Sequence, residues 1–242
     1  KHSYLRKKVY SFLFEKALVK QAAYVHLIGE SEVAGTLYQF GIVPIKLISY
    51  GQTPIINEYV PEIKSSDRIF GYAGRLDAYG KGLTILLKAF ALYCQSDQPK
   101  AQLQLIGSGK DQQQLIKLCK KLNIEDRVCF LGALYRNEKW QAIAAFDFFI
   151  LPSRNEGMPS EALEALSLGI PCIVSKQTNL GTVIRDTKTG IELKTIAPEA
   201  IMGSLKLANT WSATDLQNMK ERCKRTIITY FDWKNSAREL TK

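Results

Sequence analysis

Histidine is nearly missing from this chain: only His2 and His26 occur, and neither lies close in sequence to a candidate nucleophile. That scarcity leaves no basis for a serine or cysteine relay, which needs a base within hydrogen-bond reach. No D-x-D, H-x-H or C-x-x-C pair and no Cys/His cluster occurs, so the sequence offers no ligand set for a divalent metal. The five cysteines, Cys94, Cys119, Cys129, Cys172 and Cys223, are odd in number and scattered. They fall mostly inside apolar patterns and read as buried reduced thiols in a reducing compartment, not as a disulfide framework. No uncharged apolar run approaches the ~18 residues of a membrane span, and no signal peptide is visible. An initial methionine is also lacking. The chain enters within a basic helix, which reads as a piece excised from something longer.

Acidic residues are outnumbered. Against 33 Lys and Arg stand 23 Asp and Glu, a formal charge of +10. Part of the excess is local: Lys1, Arg6, Lys7, Lys8, Lys16 and Lys20 crowd the start, and Lys220, Arg222, Lys224 and Arg225 a late helix. Such a balance suits an anionic partner, whether phosphate or an acidic membrane surface. Neither aromatic–basic interleaving nor zinc-knuckle spacing is found, so nucleic acid is not an expected partner. Hydrophobic residues make up 46% of the 242 positions, enough for a proper core.

Periodicity predicts a helix over 4–22, a strand over 24–28, a helix over 30–40 and a strand over 45–49. From 67 onward, strands over 69–73, 102–106, 128–131, 148–151, 172–174 and 191–193 alternate with helices over 82–94, 111–122, 138–145, 160–168, 181–185 and 198–208. Two further helices, over 213–230 and 233–240, close the chain. Regular alternation of this kind is the mark of an α/β fold: a doubly wound, Rossmann-like parallel sheet with right-handed crossovers. The expected organisation is a βαβ remnant over 1–52, a Pro- and Asn-bearing linker over 53–66, and a complete domain over 67–242. The remnant is expected to be too small for an independent core and unable to form a sheet of its own.

The most informative segment is Glu156-Gly157-Met158-Pro159-Ser160-Glu161-Ala162-Leu163-Glu164, between the strand over 148–151 and a helix closed by Gly169. In an open α/β sheet the carboxyl ends of the strands are where anionic ligands bind. Pro159 suits the first helical position, leaving Glu156 in the loop and Glu164 in the second turn, with bare N–H groups between. A nucleotide sugar matches that layout, since its diphosphate favours the positive helix end and hydroxyls on either side can donate to a Glu. The plain alternative is that Glu156 is a loop charge and Glu161 and Glu164 are ordinary helix-start acids.

A second glycine turn, Gly74 to Gly82, follows the strand over 69–73. Arg75 offers a planar fork for phosphate oxygens and Lys81 a point charge. A cation at a helix start opposes the dipole, so Lys81 needs a reason to be there, and a bound anion is one. Alternatively Arg75 pairs with Asp77 and Lys81 is solvated. Gly107-Ser108-Gly109 reads as a tight turn, with a close backbone approach to ligand as the alternative. The loop Gly132-Ala133-Leu134-Tyr135 can accept a flat base, while Val128, Phe130 and Leu131 read as core. His26, in an apolar strand, reads as structural.

Taken together, the Glu156 … Glu164 pair, the Gly74-Arg75 … Lys81-Gly82 turn, the Arg127–Gly132 strand and Pro152-Ser153 resemble the retaining glycosyltransferases of family 4, with their two-domain GT-B fold. The resemblance runs along nearly the whole chain. It implies that Arg75 and Lys81 hold the donor diphosphate and stabilise it as it leaves, and that Glu164 binds ribose hydroxyls. Glu156 would contact the donor sugar, and the backbone of Gly157, Met158, Pro159, Ser160 and Glu161, with Gly74, would meet sugar and phosphate. Gly132 to Tyr135 would receive the base. No cofactor is implied beyond the nucleotide sugar itself, and no metal. The segments His26 to Glu32 and Ile45 to Gly51 resemble the end of the family's N-terminal domain and its crossover. That domain supplies the acceptor site for a glycan or lipid, so the 242 residues are expected to bind nucleotide sugar weakly and to transfer nothing alone. Departures are Tyr50-Gly51 where Asn-Gly is usual, Pro159 where Gly is frequent, and Thr182 where a glutamate is common. Alternative readings are a GT-B epimerase or phosphorylase and a non-catalytic sugar-nucleotide scaffold. The expected location is cytoplasmic, at the inner membrane face if Val9, Phe12 and Leu13 with the basic cluster make peripheral contact. Packing of those apolar residues on the domain is the favoured alternative.

Overall fold

The computed structural model describes residues 6, 9–55, 67–96 and 100–241. Residues 56–66 of the expected linker lie outside the described residues, as do Lys1, His2, Lys7 and Lys8.

The chain opens with a helical stretch over 9–21, wide-turned at Ser11–Glu15 and regular in α1 (Lys16–Gln21). Strand β1 (Val25–Leu27), a short 3-10 turn at Glu30–Glu32, α2 (Val33–Phe40) and β2 (Ile45–Leu47) follow. Here the expectation needs correcting, because β1 and β2 do form a sheet of their own, parallel and two-stranded, with Val25 opposite Ile45 and Leu27 opposite Leu47. The crossover through α2 brings them side by side. His26 Nε2 lies 2.8 Å from the Ile48 carbonyl, in keeping with its structural reading.

The opening helix does not pack its apolar face as the favoured alternative required. Ser11 is buried and accepts a hydrogen bond from Gln39 on α2, which turns Val9 and Leu13 outward at 50% and 57% exposure. The Phe12 side chain lies outside the described residues. No described helix is long and apolar enough to cross a membrane.

The main unit is built from β3 (Arg68–Ala73), α3 (Leu83–Cys94), β4 (Ala101–Ile106), α4 (Gln112–Lys121), β5 (Val128–Gly132), α5 (Arg136–Ala144) and β6 (Phe148–Leu151), then α6 (Ser160–Ser167), β7 (Cys172–Ser175), α7 (Gly181–Thr187), β8 (Gly190–Leu193), α8 (Pro198–Asn209), α9 (Ala213–Tyr230) and α10 (Trp233–Thr241). All six of its strands run parallel in the order β5-β4-β3-β6-β7-β8, with helices on both faces, as the alternation predicts. Strands β6 and β7 are buried at every position, because a parallel sheet covered on both faces gives its central strands no wet side. Their Phe, Ile and Val side chains contribute roughly 1.5–3 kcal/mol each by leaving water. Gly71 in β3 is required by the same packing, since a Cβ there would stand 2.0 Å from the buried Phe146 ring. The last helix reaches back to the N-terminal unit: Ser236 donates to the Ser49 carbonyl at 3.0 Å, and Tyr24 to that of Leu240 at 2.7 Å.

The cysteines divide in a way their sequence context does not show. Cys119, Cys172 and Cys223 are buried, but Cys94 and Cys129 are exposed. Cys129 lies on edge strand β5, where one face is open, and Cys94 is the last residue of α3. Burial pushes the Cys119 thiol up to about 11 and that of Cys94 above its ordinary value. Alkylation of the native protein at pH 8 is therefore expected to modify Cys129 first and Cys94 slowly, leaving the others untouched until denaturant is added. Peptide mapping that found Cys172 or Cys223 labelled as fast as Cys129 would contradict this packing.

Candidate functional site

Chain order runs outward from β3 through β4 to β5, then returns to β6 and runs outward the other way through β7 and β8. Connections on either side of the β3/β6 boundary therefore diverge, and a crevice opens beyond the carboxyl ends of these two strands. The loop after β3, Gly74 to Gly82, and the loop after β6, Pro152 to Pro159, are its two lips.

The lips touch backbone to backbone. Arg154 N–H donates to the Gly80 carbonyl at 2.9 Å, and the Arg154 guanidinium lies 4.4 Å from the centre of the Tyr79 ring. Gly82 adopts φ 69°, and a Cβ on it would stand 2.1 Å from the Pro152 carbonyl oxygen. Only glycine fits a position that is both left-handed and that close to a neighbouring main chain. Gly107 and Gly109 serve a related purpose: a Cβ there would stand 1.9 Å from Gly74 O and 2.4 Å from Leu76 O. Their close approach is thus to the loop after β3.

Lys81 reaches across the crevice and meets Glu156, Nζ to Oε1, at 2.5 Å. The same oxygen accepts from Ser153 Oγ at 2.6 Å, and both side chains of the ion pair are mostly buried, at 18% and 14% exposure. A carboxylate across the crevice is thus one reason for a cation beside the start of α3. The alternative of a merely solvated Lys81 is set aside. So is an Arg75–Asp77 pair. Asp77 accepts from the N–H groups of Gly80 and Tyr79, and the Gly80 bond above all holds its carboxyl below the usual range. The Arg75 guanidinium is exposed and makes no hydrogen bond or ion pair among the described residues. Its carbonyl is held from below by the buried Tyr72 hydroxyl at 2.7 Å. Burial, with smaller contributions from Glu161 and Glu156, raises the Tyr72 pKa far above its ordinary value and keeps the hydroxyl a donor.

Pro159 does not occupy the first helical position. With ψ 105° it is the extended residue before α6, and its carbonyl accepts from both Ala162 and Leu163 at 3.2 Å. Helix α6 thus starts at Ser160, Glu164 still falls in the second turn, and the N–H groups of Ser160 and Glu161 precede the first intrahelical bond. Glu164 is gripped by a residue that no motif singles out. Lys139, on α5, lies 2.8 Å from its Oε1 and 2.7 Å from its Oε2. Gly132 (φ 75°), exposed Ala133, half-buried Leu134 and exposed Tyr135 form the lip between β5 and α5.

Two other residues at the site have no role assigned from sequence. Ser153, which enters the resemblance only as part of Pro152-Ser153, is fully buried. Asn179, at φ 60°, has its side chain beside the carbonyls of Glu156 and Gly157. The only hint was the turn-forming character of Thr178-Asn179-Leu180-Gly181.

With this geometry in hand, the comparisons with known proteins are specific. The family model described as "Glycosyl transferases group 1" matches residues 56–225. An uncharacterised glycosyltransferase of Methanocaldococcus jannaschii is 26% identical over 178 residues, which cover 73% of this chain and 44% of that protein. The UDP-Gal:alpha-D-GlcNAc-diphosphoundecaprenol alpha-1,3-galactosyltransferase of Escherichia coli is 25% identical over 178 residues, covering 73% and 45%. Among solved structures, sucrose-phosphate synthase of Thermosynechococcus elongatus superposes with a TM-score of 0.79 at 23% identity, covering 94% of this chain and 59% of that one. The chain spans less than half the length of these two curated relatives.

Proposed function

The chain belongs to the glycosyl transferases group 1 family, and from that membership we propose that it forms the donor-binding half of a retaining glycosyltransferase. The enzyme would move a sugar from a nucleoside diphosphate sugar to an acceptor hydroxyl without a divalent metal. The observation that carries this reading is the Lys81–Glu156 pair at the β3/β6 boundary, a cation and a carboxylate facing one another where a diphosphate and its sugar would lie.

In this reading the diphosphate takes Lys81 from Glu156, joins exposed Arg75 and the free N–H groups at the start of α6, and is neutralised by fixed charge. Glu156, released from Lys81 but still holding Ser153, accepts from a sugar hydroxyl. Glu164 turns from Lys139 to the ribose hydroxyls, and the Gly132–Tyr135 lip takes the base. The bond from C1 to the diphosphate oxygen breaks as the acceptor oxygen bonds to C1 from the same face, and the acceptor proton passes to the departing diphosphate. Glu156 is a contact in this scheme, not a covalent nucleophile. Acceptor recognition falls to an N-terminal domain for which the longer relatives have room.

A thermal-shift and calorimetric panel of uridine, guanosine and adenosine diphosphates and their sugars tests the donor half of the proposal. One base is expected to stabilise the fold as RT ln(1 + [L]/Kd), about 2.7 kcal/mol at a hundredfold excess over Kd. Glucose or galactose alone is expected to do nothing, and these residues alone are expected to show no transfer. The reading fails if no nucleotide shifts the melting curve at millimolar concentration, or if the isolated residues turn over donor and acceptor.

A further inference from the structure

We infer that Asn179 is a positioning residue that clasps the loop bearing Glu156 to the N-terminal unit. Its Nδ2 lies 2.8 Å from the Glu156 carbonyl oxygen, 2.7 Å from that of Gly157 and 2.9 Å from Ser31 Oγ. Its Oδ1 accepts from Ser31 N–H at 3.1 Å. One side chain thus joins three segments: its own loop after β7, the Glu156-Gly157 main chain after β6, and the turn after β1.

The surroundings are shaped to this contact. Asn179 sits at φ 60°, a left-handed conformation that asparagine tolerates better than most residues. Opposite it, Gly29 leaves the necessary space, for a Cβ there would stand 2.2 Å from Asn179 Nδ2. The turn carrying Ser31 is itself fixed, because Glu32 Oε2 accepts from Ile28 N–H at 2.8 Å and Gly29 N–H at 3.3 Å. The Glu156 N–H donates to Gln177 O at 3.0 Å, so the peptide of Glu156 is tied to the β7 loop on both its sides. Lys81 and Ser153 set the Glu156 carboxylate, and Asn179 sets the main chain from which it extends. The N-terminal unit joins in through Ser31, which couples the placement of that unit to the geometry of the candidate sugar-facing loop.

The catalytic side of this inference rests on the donor-binding reading above, so the test has an arm that does not. Asn179→Gly keeps the backbone conformation without strain and removes the clasp, while Ser31→Ala removes one partner from the other side. Amide hydrogen exchange of the full polypeptide without ligand is expected to speed up in both variants over 28–32 and over 156–158, at least about fivefold for Asn179→Gly and less for Ser31→Ala. With ligand, the affinity gained by a nucleoside diphosphate sugar over the bare diphosphate is expected to shrink about tenfold in Asn179→Gly, while affinity for the diphosphate itself stays within threefold. Displacing a reacting geometry by about 1 Å can cost ~10²-fold, so kcat is expected to fall more than KM rises. Unchanged exchange in 28–32 overturns the clasp whatever the enzyme's reaction. Faster exchange there with an undiminished sugar contribution overturns its positioning role. A wild-type protein that binds no nucleotide sinks the donor reading and leaves the exchange result to judge the clasp.

Discussion

Transfer by the full polypeptide is expected to fall by about 10²- to 10³-fold when Lys81 is replaced by methionine, the range found when one fixed transition-state donor is lost. Methionine keeps the length of the stem and its apolar packing, so the change is mainly one of charge. Two effects combine. In the proposed donor mode the departing diphosphate would lose the cation that the loop after β3 brings to the crevice. The Glu156 carboxylate, 14% exposed, is left with Ser153 as its hydrogen-bond donor and must rearrange to find water. Removing one partner of a well-buried pair costs about 3–5 kcal/mol, and at this partly exposed crevice the loss is expected to be smaller. Steady-state kinetics beside a melting curve separates the effects: kcat/KM should fall far more than stability. A variant that is within threefold of wild type in kcat/KM would remove Lys81 from the chemistry and the proposed role of the crevice with it.

Gly82→Ala is expected to be severely damaging for a single added methyl. The position is left-handed at φ 69°, and the added Cβ would stand 2.1 Å from the Pro152 carbonyl oxygen. That oxygen is main chain at the carboxyl end of β6, so it cannot swing aside as a side chain would. Strained backbone and forced separation of the lips together should cost about 3–5 kcal/mol. For a domain of this size that lowers Tm by roughly 8–15 °C. Nucleotide affinity should fall as well, because Lys81 precedes Gly82 and would be carried away from Glu156. A shift below about 3 °C by calorimetry would mean that the two loops are not packed as described.

Much of this was legible in advance, for identifiable reasons. Strands and helices of the main unit follow from apolar runs punctuated by Gly and Pro, and the structure moves most of their ends by only a residue or two. The Glu156–Glu164 segment and the Gly74–Gly82 turn stood out because charged side chains lie where glycine and proline interrupt strong elements. Pro159 was misplaced by one position, since a proline before a helix and one at its first residue satisfy the same local rules. Cys119, Cys172 and Cys223 are buried as expected, while Cys94 and Cys129 are not, because apolar context marks neither the exposed end of a helix nor an edge strand. Val9 and Leu13 were expected to pack, but which face of a helix finds a partner depends on what lies beside it.

Composition and periodicity by themselves determined the parallel α/β architecture and the two loops in which charge and flexibility coincide. Those are properties of neighbours along the chain, and short-range sterics and hydrophobic burial are enough to express them. Tertiary structure alone decided that Lys81 meets Glu156, that Lys139 grips Glu164, and that Asn179 joins Ser31 to the Glu156 loop. Those contacts span 22 to 148 positions of sequence. Strand order brings them together, and no local preference records a contact made across that distance.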